Sequence, residues 1–429
     1  MSTQRGFLAR IRAVTKPDHA WSGYAGLSMA RLLAQVVGTA LTVVSARVLA
    51  PGGRGEFVAL SATAVLTAQT LNLGLSSSLA VLFSRRPARI GLYRRHLVRI
   101  AFGWASVLAV LAAALAWLAP GIGLPWWPLC VAWVPLQLLG LYQAAALVAL
   151  QDAGALSRIE LAGRSSALVL GCSSLLAFGS ALFPFLLAVI AADALVATLG
   201  ARRLARVSPV APARGRQAVA FFRFAYRMGL RAYPPLLLGF LLIKSDVLVL
   251  RLMRGAAETG VYSIASQIVD VALILPTTIG ALVLASVVRA ERPARELLRA
   301  MRPAALAVFG LALGMLAFGH WAILWVFGRP FVGAYPALVL LLPGFVALAL
   351  QGLLGQYFAS RGFPVFVSVY WLIGLIVNVS LNLLLVPRFG FLAAAGSSSV
   401  AYGLVFFLML RRFRAEYAAE KIRGFSPGA

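Results

Sequence analysis

Long apolar runs broken by short, mostly basic gaps organise this chain. Twelve runs stand out, at 25–46, 57–79, 100–119, 127–149, 165–181, 184–200, 229–251, 261–288, 304–326, 334–358, 366–386 and 393–411. Most are long enough to cross a bilayer as a helix, which takes roughly 20 residues. The fifth and sixth are short and meet at Phe183-Pro184, so this stretch reads either as two spans or as one broken span. The pattern predicts an all-α polytopic membrane protein with about 12 transmembrane helices.

The gaps alternate in charge. The gap 80–99 holds six Lys or Arg, the gap 201–228 seven and the gap 289–303 five. The tail before the first run holds four, the gap 150–164 holds Arg158 and Arg164, the gap 359–365 holds Arg361 and the C-terminal end from Arg411 holds five, whereas the alternate gaps hold only Arg47, Arg54, Arg251, Arg254, Arg329 and Arg388. Basic loops stay on the cytoplasmic side. With an even number of spans, both termini are expected in the cytoplasm of a bacterial cell membrane. The first apolar core starts near Ala25, farther in than in a cleavable leader, so the first span is expected to be retained.

Composition agrees. The chain has 429 residues, 61% of them hydrophobic and 12% charged, against roughly 25% charged in soluble domains. A net charge of +27 would point to nucleic acid in a soluble protein. Here the charge is spread over loops between spans, so no nucleic-acid partner is expected. Cys130 and Cys172 both lie inside apolar runs. His19, His96 and His320 are scattered, so neither a metal site nor a cofactor is expected. No P-loop, nucleophile elbow or His-pair motif occurs, and the protein is not expected to be an enzyme.

The gap 201–228 divides the chain. The expected organisation is a basic tail at 1–24, a six-helix lobe at 25–200, a linker at 201–228, a second six-helix lobe at 229–411 and a tail at 412–429. The linker ends on an amphipathic stretch, Phe221-Phe222-Arg223-Phe224-Ala225-Tyr226-Arg227. The lobes share their opening: Gly26-Leu27, a span, Arg47-Val48-Leu49, then Gly55-Glu56-Phe57 in the first. The second reads Gly229-Leu230, a span, Arg251-Leu252-Met253, then Gly260-Val261-Tyr262. Both halves start on the same side, so they read as parallel repeats about an axis along the membrane normal. Glu56 and Glu258 hold similar places in the halves and read as structural.

Ionisable residues inside spans cost about 2.5–3.5 kcal/mol at the bilayer centre and are functional candidates by default. Five qualify: Arg31, Asp193, Lys244, Asp246 and Asp270. Arg31 lies near the inner end of its span, where a long side chain also snorkels. Lys244 and Asp246 are two apart on one helix and point to different faces, so each needs a partner from another span or a wet cavity. The acids Asp193, Asp246 and Asp270 are either ion-coupling groups or structural hydrogen-bonded carboxyls. Asn378 and Asn382 share a helical face and serve either as interhelical glue or as a cavity lining. Pro234, Pro235, Pro276 and Pro343 interrupt spans and are either hinges or fixed kinks.

Three stretches carry a family resemblance. They are Arg47-Val48-Leu49-Ala50-Pro51-Gly52-Gly53-Arg54-Gly55-Glu56-Phe57, then Lys244-Ser245-Asp246 through Gly260-Val261-Tyr262-Ser263, and then Asn378 through Asn382 with Val386-Pro387-Arg388-Phe389-Gly390 and Ala393-Ala394-Ala395-Gly396. In order and spacing the chain resembles the Wzx-type oligosaccharide flippases of polysaccharide biosynthesis, in the MOP (MATE-like) superfamily. The resemblance implies two six-helix lobes around a central cavity that opens alternately to each side. It implies a polyprenyl-diphosphate-linked oligosaccharide as cargo, moved from the inner to the outer leaflet. Membrane lipid is an expected partner, with polysaccharide polymerase and glycosyltransferase machinery beside it. Arg31, Lys244 and Arg251 are the matching basic positions for the substrate, with Asn378 and Asn382 lining the cavity. Asp246 and Asp270 add negative charge that the family pattern does not call for. A MATE-type exporter coupled to protons or sodium is the alternative. The lipid II flippase branch resembles fourteen spans, against twelve counted here. A membrane glycosyltransferase or polymerase is disfavoured by the short outer loops.

Overall fold

The computed structural model describes residues 17–87, 89–118, 127–207, 215–290, 292–362 and 364–423. Among them the chain is helical almost throughout, with no strand. The helices are α1 (Pro17–Asn72), α2 (Leu75–Arg85), α3 (Arg89–Leu118), α4 (Trp127–Ala149), α5 (Ala153–Phe178), α6 (Leu182–Val207), α7 (Gly215–Arg254), α8 (Ala256–Ala272), α9 (Ile274–Arg289), α10 (Pro293–Val326), α11 (Ala334–Ser360), α12 (Val365–Phe389) and α13 (Phe391–Arg423). Nine helical segments among the described residues are long and apolar enough to cross a membrane. One of them, Leu33–Asn72, takes in parts of two of the predicted runs, and the runs at 100–119 and 229–251 fall on α3 and α7. Leu306, Phe309 and Leu313 form an exposed apolar stripe on α10. Such a stripe is costly against water and natural against lipid.

Helix breaks fall where backbone chemistry demands them. The predicted loop at 47–56 contracts to a kink at Ala50, with φ 56 and ψ 178. Pro51 disfavours helix in the residue before it and then suits the first position of the next helical segment. The second predicted run of each half is broken rather than continuous. The run 57–79 ends at Asn72, passes through Leu73 and Gly74 with positive φ, and restarts as α2. Tyr233 Oη donates to the carbonyls of Gln69 and Thr70, which the end of α1 leaves without helical partners. The run 261–288 divides at Leu273 into α8 and α9. Pro276 explains this break, because its ring clashes with the carbonyl four residues earlier. Gly179, at φ 62, turns the chain between α5 and α6, so residues 165–200 lie on two helices.

The chain packs as two compact units. The first comprises residues up to Thr42, Gly74–Phe178 and Phe183–Gly229; the second comprises Val43–Leu73, Gly179–Leu182 and Leu230–Ala429. In the first unit α4 packs on α2, α3 and α5. The amphipathic linker end is helical there. Phe221 stacks on Tyr93 with ring centroids 3.9 Å apart, and Phe222 is buried beside it. In the second unit α11 is the central helix, touching α8, α9, α10 and α13. It is apolar on all sides, as a buried helix must be.

Two devices hold the second unit together. At the first, Gly55 and Gly260 meet backbone to backbone. A Cβ on Gly55 would strike the Ala256 carbonyl, and a Cβ on Gly260 would strike the Pro51 carbonyl, so the contact is reciprocal. At the second, the hydroxyl of Ser399 enters the helical ladder of α11 beside Pro343. It accepts from the Gly344 amide at 3.1 Å and donates to the Leu340 carbonyl at 2.5 Å. A side chain inserted into the ladder is a recognised cause of a helix kink.

Candidate functional site

One cluster of buried polar side chains in the second unit gathers around Asp246. This residue sits on α7, 2% exposed, facing α8 and α13. Its Oδ2 accepts from Tyr262 Oη of α8 and, at 3.2 Å, from Ser398 Oγ of α13. Its Oδ1 accepts from the Val247 amide at 2.7 Å. A carboxylate taken out of water is tolerated only with such donors around it.

Helix α12 adds the asparagines. Asn378 and Asn382 lie one helical turn apart and are both fully buried. Asn382 Nδ2 donates to Asn378 Oδ1 at 3.0 Å, and Asn378 Nδ2 donates to Ser398 Oγ at 3.3 Å. Ser245 Oγ of α7 also donates to Asn378 Oδ1, at 3.2 Å. The bonds from Asn382 through Asn378 and Ser398 therefore run in one direction, toward Asp246. Aligned donors of this kind strengthen one another. The buried Asn382 Oδ1 and Ser397 Oγ have no hydrogen-bond partner among the described residues.

Lys244 and Asp270 form a separate pair on the neighbouring face of α7. Lys244 Nζ lies 2.8 Å from Asp270 Oδ2, with side chains 27% and 34% exposed. Two positions along a helix turn a side chain to another face. Asp246 therefore enters the polar core while Lys244 reaches across to α8.

The remaining predicted residues fall elsewhere. Arg251 pairs with Glu56; it lies about 7 Å along the helix from Asp246 at 1.5 Å per residue. Arg254 pairs with Glu258 at 2.8 Å, and Glu258 also accepts from the Phe391 amide at 3.3 Å. Glu56 and Glu258 thus tie helix ends together. Arg54, which reads as a loop residue in the sequence, is 3% exposed and donates to Ser45 Oγ at 2.9 Å. Asp193 belongs to the first unit, where its Oδ2 accepts from Trp133 Nε1 at 2.6 Å and Gln137 Nε2 at 2.7 Å. The side chain of Arg31 lies outside the described residues. Pro234 and Pro235 sit inside an unbroken α7, and Pro343 inside α11.

Sequence reasoning missed Tyr262, Ser245 and Ser398 as members of this cluster. Tyr262 stands in a stretch that carries the family resemblance, but nothing local gives its hydroxyl a partner. The described residues hold no group of three or more His, Cys, Asp or Glu suited to a metal ion. The oxygens of Asp246, Asn378, Asn382 and Ser398 are hard donors, of the kind that suit a proton or a small cation.

No protein-family model matches the chain, and no curated protein matches it. Solved structures do share its fold. The lipid II flippase MurJ, in an inward closed conformation, superimposes with a TM-score of 0.72 at 11% identity, over 92% of this chain and 90% of its own. A MOP superfamily transporter from Pyrococcus furiosus gives 0.69 at 15% identity, over 93% and 96%. A multidrug resistance MATE family transporter, inward-facing, gives 0.68 at 14% identity, over 92% and 99%. The chain has the fold of the MATE-like MOP transporters.

Proposed function

We propose that this protein is a multi-pass membrane transporter that flips a polyprenyl-diphosphate-linked oligosaccharide from the inner to the outer leaflet for surface polysaccharide synthesis. The observation that carries this reading is a fold shared with both a lipid flippase and small-molecule exporters, in a chain whose sequence stretches resemble the oligosaccharide branch. The physical need is clear. A sugar-diphosphate head group loses its water in hydrocarbon and cannot cross unaided. A polar path with alternating access carries the head group while the prenyl tail stays in lipid.

In this reading the two six-helix lobes, 25–200 and 229–411, alternate in access, with Pro276 and Pro343 as hinge candidates. Arg31, Lys244 and Arg251 serve the anionic substrate. The Asp246, Asn378, Asn382 and Ser398 cluster takes up the coupling proton or sodium ion, and Asp270 tunes Lys244. Cargo is supplied by glycosyltransferases and consumed by a polymerase on the far side of a bacterial cell membrane. The second reading, a proton- or sodium-coupled exporter of small organic molecules, is favoured by one observation, the enclosure of Asp246.

Deletion of the gene separates the two. The expected result is loss of surface polysaccharide, with lipid-linked repeat units accumulating on the inner leaflet. Intact polysaccharide together with raised drug sensitivity would establish the exporter instead.

A further inference from the structure

The first unit contains a crevice outside the polar cluster around Asp246, which belongs to the second unit. It is lined by Arg94, Arg95, Val98, Leu139, Gln143 and Leu204, among others, from α3, α4 and α6. Its walls are mainly apolar, and its two arginines have no ion-pair partner among the described residues. It lies at the end of the helices that the arginine bias assigns to the cytoplasm.

Two observations point to one kind of occupant. Arg94 and Arg95 offer unneutralised cations at the depth of lipid head groups. Val98 and Phe102, one and two turns along α3 from Arg94, are exposed apolar residues that continue the site into the hydrocarbon. Gln143 braces the crevice wall: its Nε2 donates to the Ala197 carbonyl at 2.8 Å, and its amide packs against Gly200, where a Cβ would strike it. Cations and an apolar track match a phosphate and an acyl chain.

We propose that this crevice binds an anionic phospholipid of the cytoplasmic leaflet, with its phosphate on Arg94 and Arg95 and an acyl chain along Val98 and Phe102. Basic pockets between transmembrane helices on this side of a membrane recognise such head groups. The site is independent of which cargo the protein moves.

Native mass spectrometry of the detergent-purified full chain tests it, with phosphatidylglycerol and phosphatidylethanolamine as probes. The unaltered protein should retain phosphatidylglycerol in preference. Arg94→Gln with Arg95→Gln should weaken that retention about tenfold or more, since each surface cation near an anionic lipid adds roughly a factor of five. Arg411→Gln with Arg414→Gln, exposed cations of the second unit, should leave it unchanged. Ala201→Phe keeps both arginines, fills the crevice and should also release the lipid. Equal losses from both arginine pairs would overturn the proposal in favour of diffuse surface attraction. Undiminished retention in Ala201→Phe, or displacement of the lipid by inorganic phosphate, would also overturn it.

Discussion

Two aspartates inside apolar helices, Asp193 and Asp246, look alike in sequence and differ in their surroundings. Asp193 is half-buried and receives both of its hydrogen bonds on one oxygen, from Trp133 and Gln137 on a single neighbouring helix. Asp246 is enclosed, bonded through both oxygens, and held by Tyr262 and Ser398 from two other helices. Asn378 and Asn382 extend the second site inward and leave it unsatisfied at its far end. Asp193 links two helices from one side, whereas Asp246 ends an aligned polar chain that draws on four helices, so neutralising it disturbs more partners.

The sharpest way to break this contrast is Asp246→Asn, which keeps the volume and removes the charge. Loss of a charge-assisted site of about 1.5–3 kcal/mol should cut transport roughly 10- to 100-fold. Proteoliposomes carrying a fluorescent lipid-linked oligosaccharide measure it, and near-normal rates would return Asp246 to a structural role.

Lys244→Ala comes next. It leaves Asp270 without its 2.8 Å partner and should impair transport several-fold without affecting membrane insertion, an effect of about 1 kcal/mol for a partly exposed pair. Exchanging the two charges, Lys244→Asp with Asp270→Lys, should restore part of the rate if pairing is what matters. A normal rate in Lys244→Ala would remove Lys244 from the mechanism.

Tyr262→Phe removes one donor from a buried carboxylate and should lower thermal stability by about 1–3 kcal/mol. Its effect should shrink in an Asp246→Asn background, which a double-mutant cycle would reveal. Strict additivity would mean that the hydroxyl does not act through Asp246.

Asp193→Asn should have the smallest effect. Trp133 and Gln137 can still donate to the amide oxygen, and interhelical hydrogen bonds in membranes average about 0.6 kcal/mol. Transport is expected to change by less than about threefold. A collapse of activity like that of Asp246→Asn would erase the distinction between the two sites.

Much of the architecture was legible in the chain. Period and length marked the apolar helices, because a bilayer demands long apolar runs with internally satisfied backbones. Gly55 and Gly260 stand out in the sequence, although nothing there says that they touch. Asn378 and Asn382 were placed on one face by helical geometry alone, and they bond each other. The break at Ala50 lies in the loop expected at 47–56, shortened to a kink that Pro51 marks locally; the break at Leu73 was not anticipated, because it depends on Tyr233, distant in sequence, donating to the freed carbonyls.

The sequence by itself determined the polytopic helical class and the positions of the charges within apolar runs, because these follow from local hydropathy and from charge counted along one dimension. Only the tertiary structure decided which charges belong together. Lys244 and Asp246 are two residues apart, yet one pairs with Asp270 and the other with Tyr262 and Ser398. Partner choice depends on which helix lies against which face. That is settled by packing small residues and burying polar groups across the whole bundle, and no window of sequence contains it.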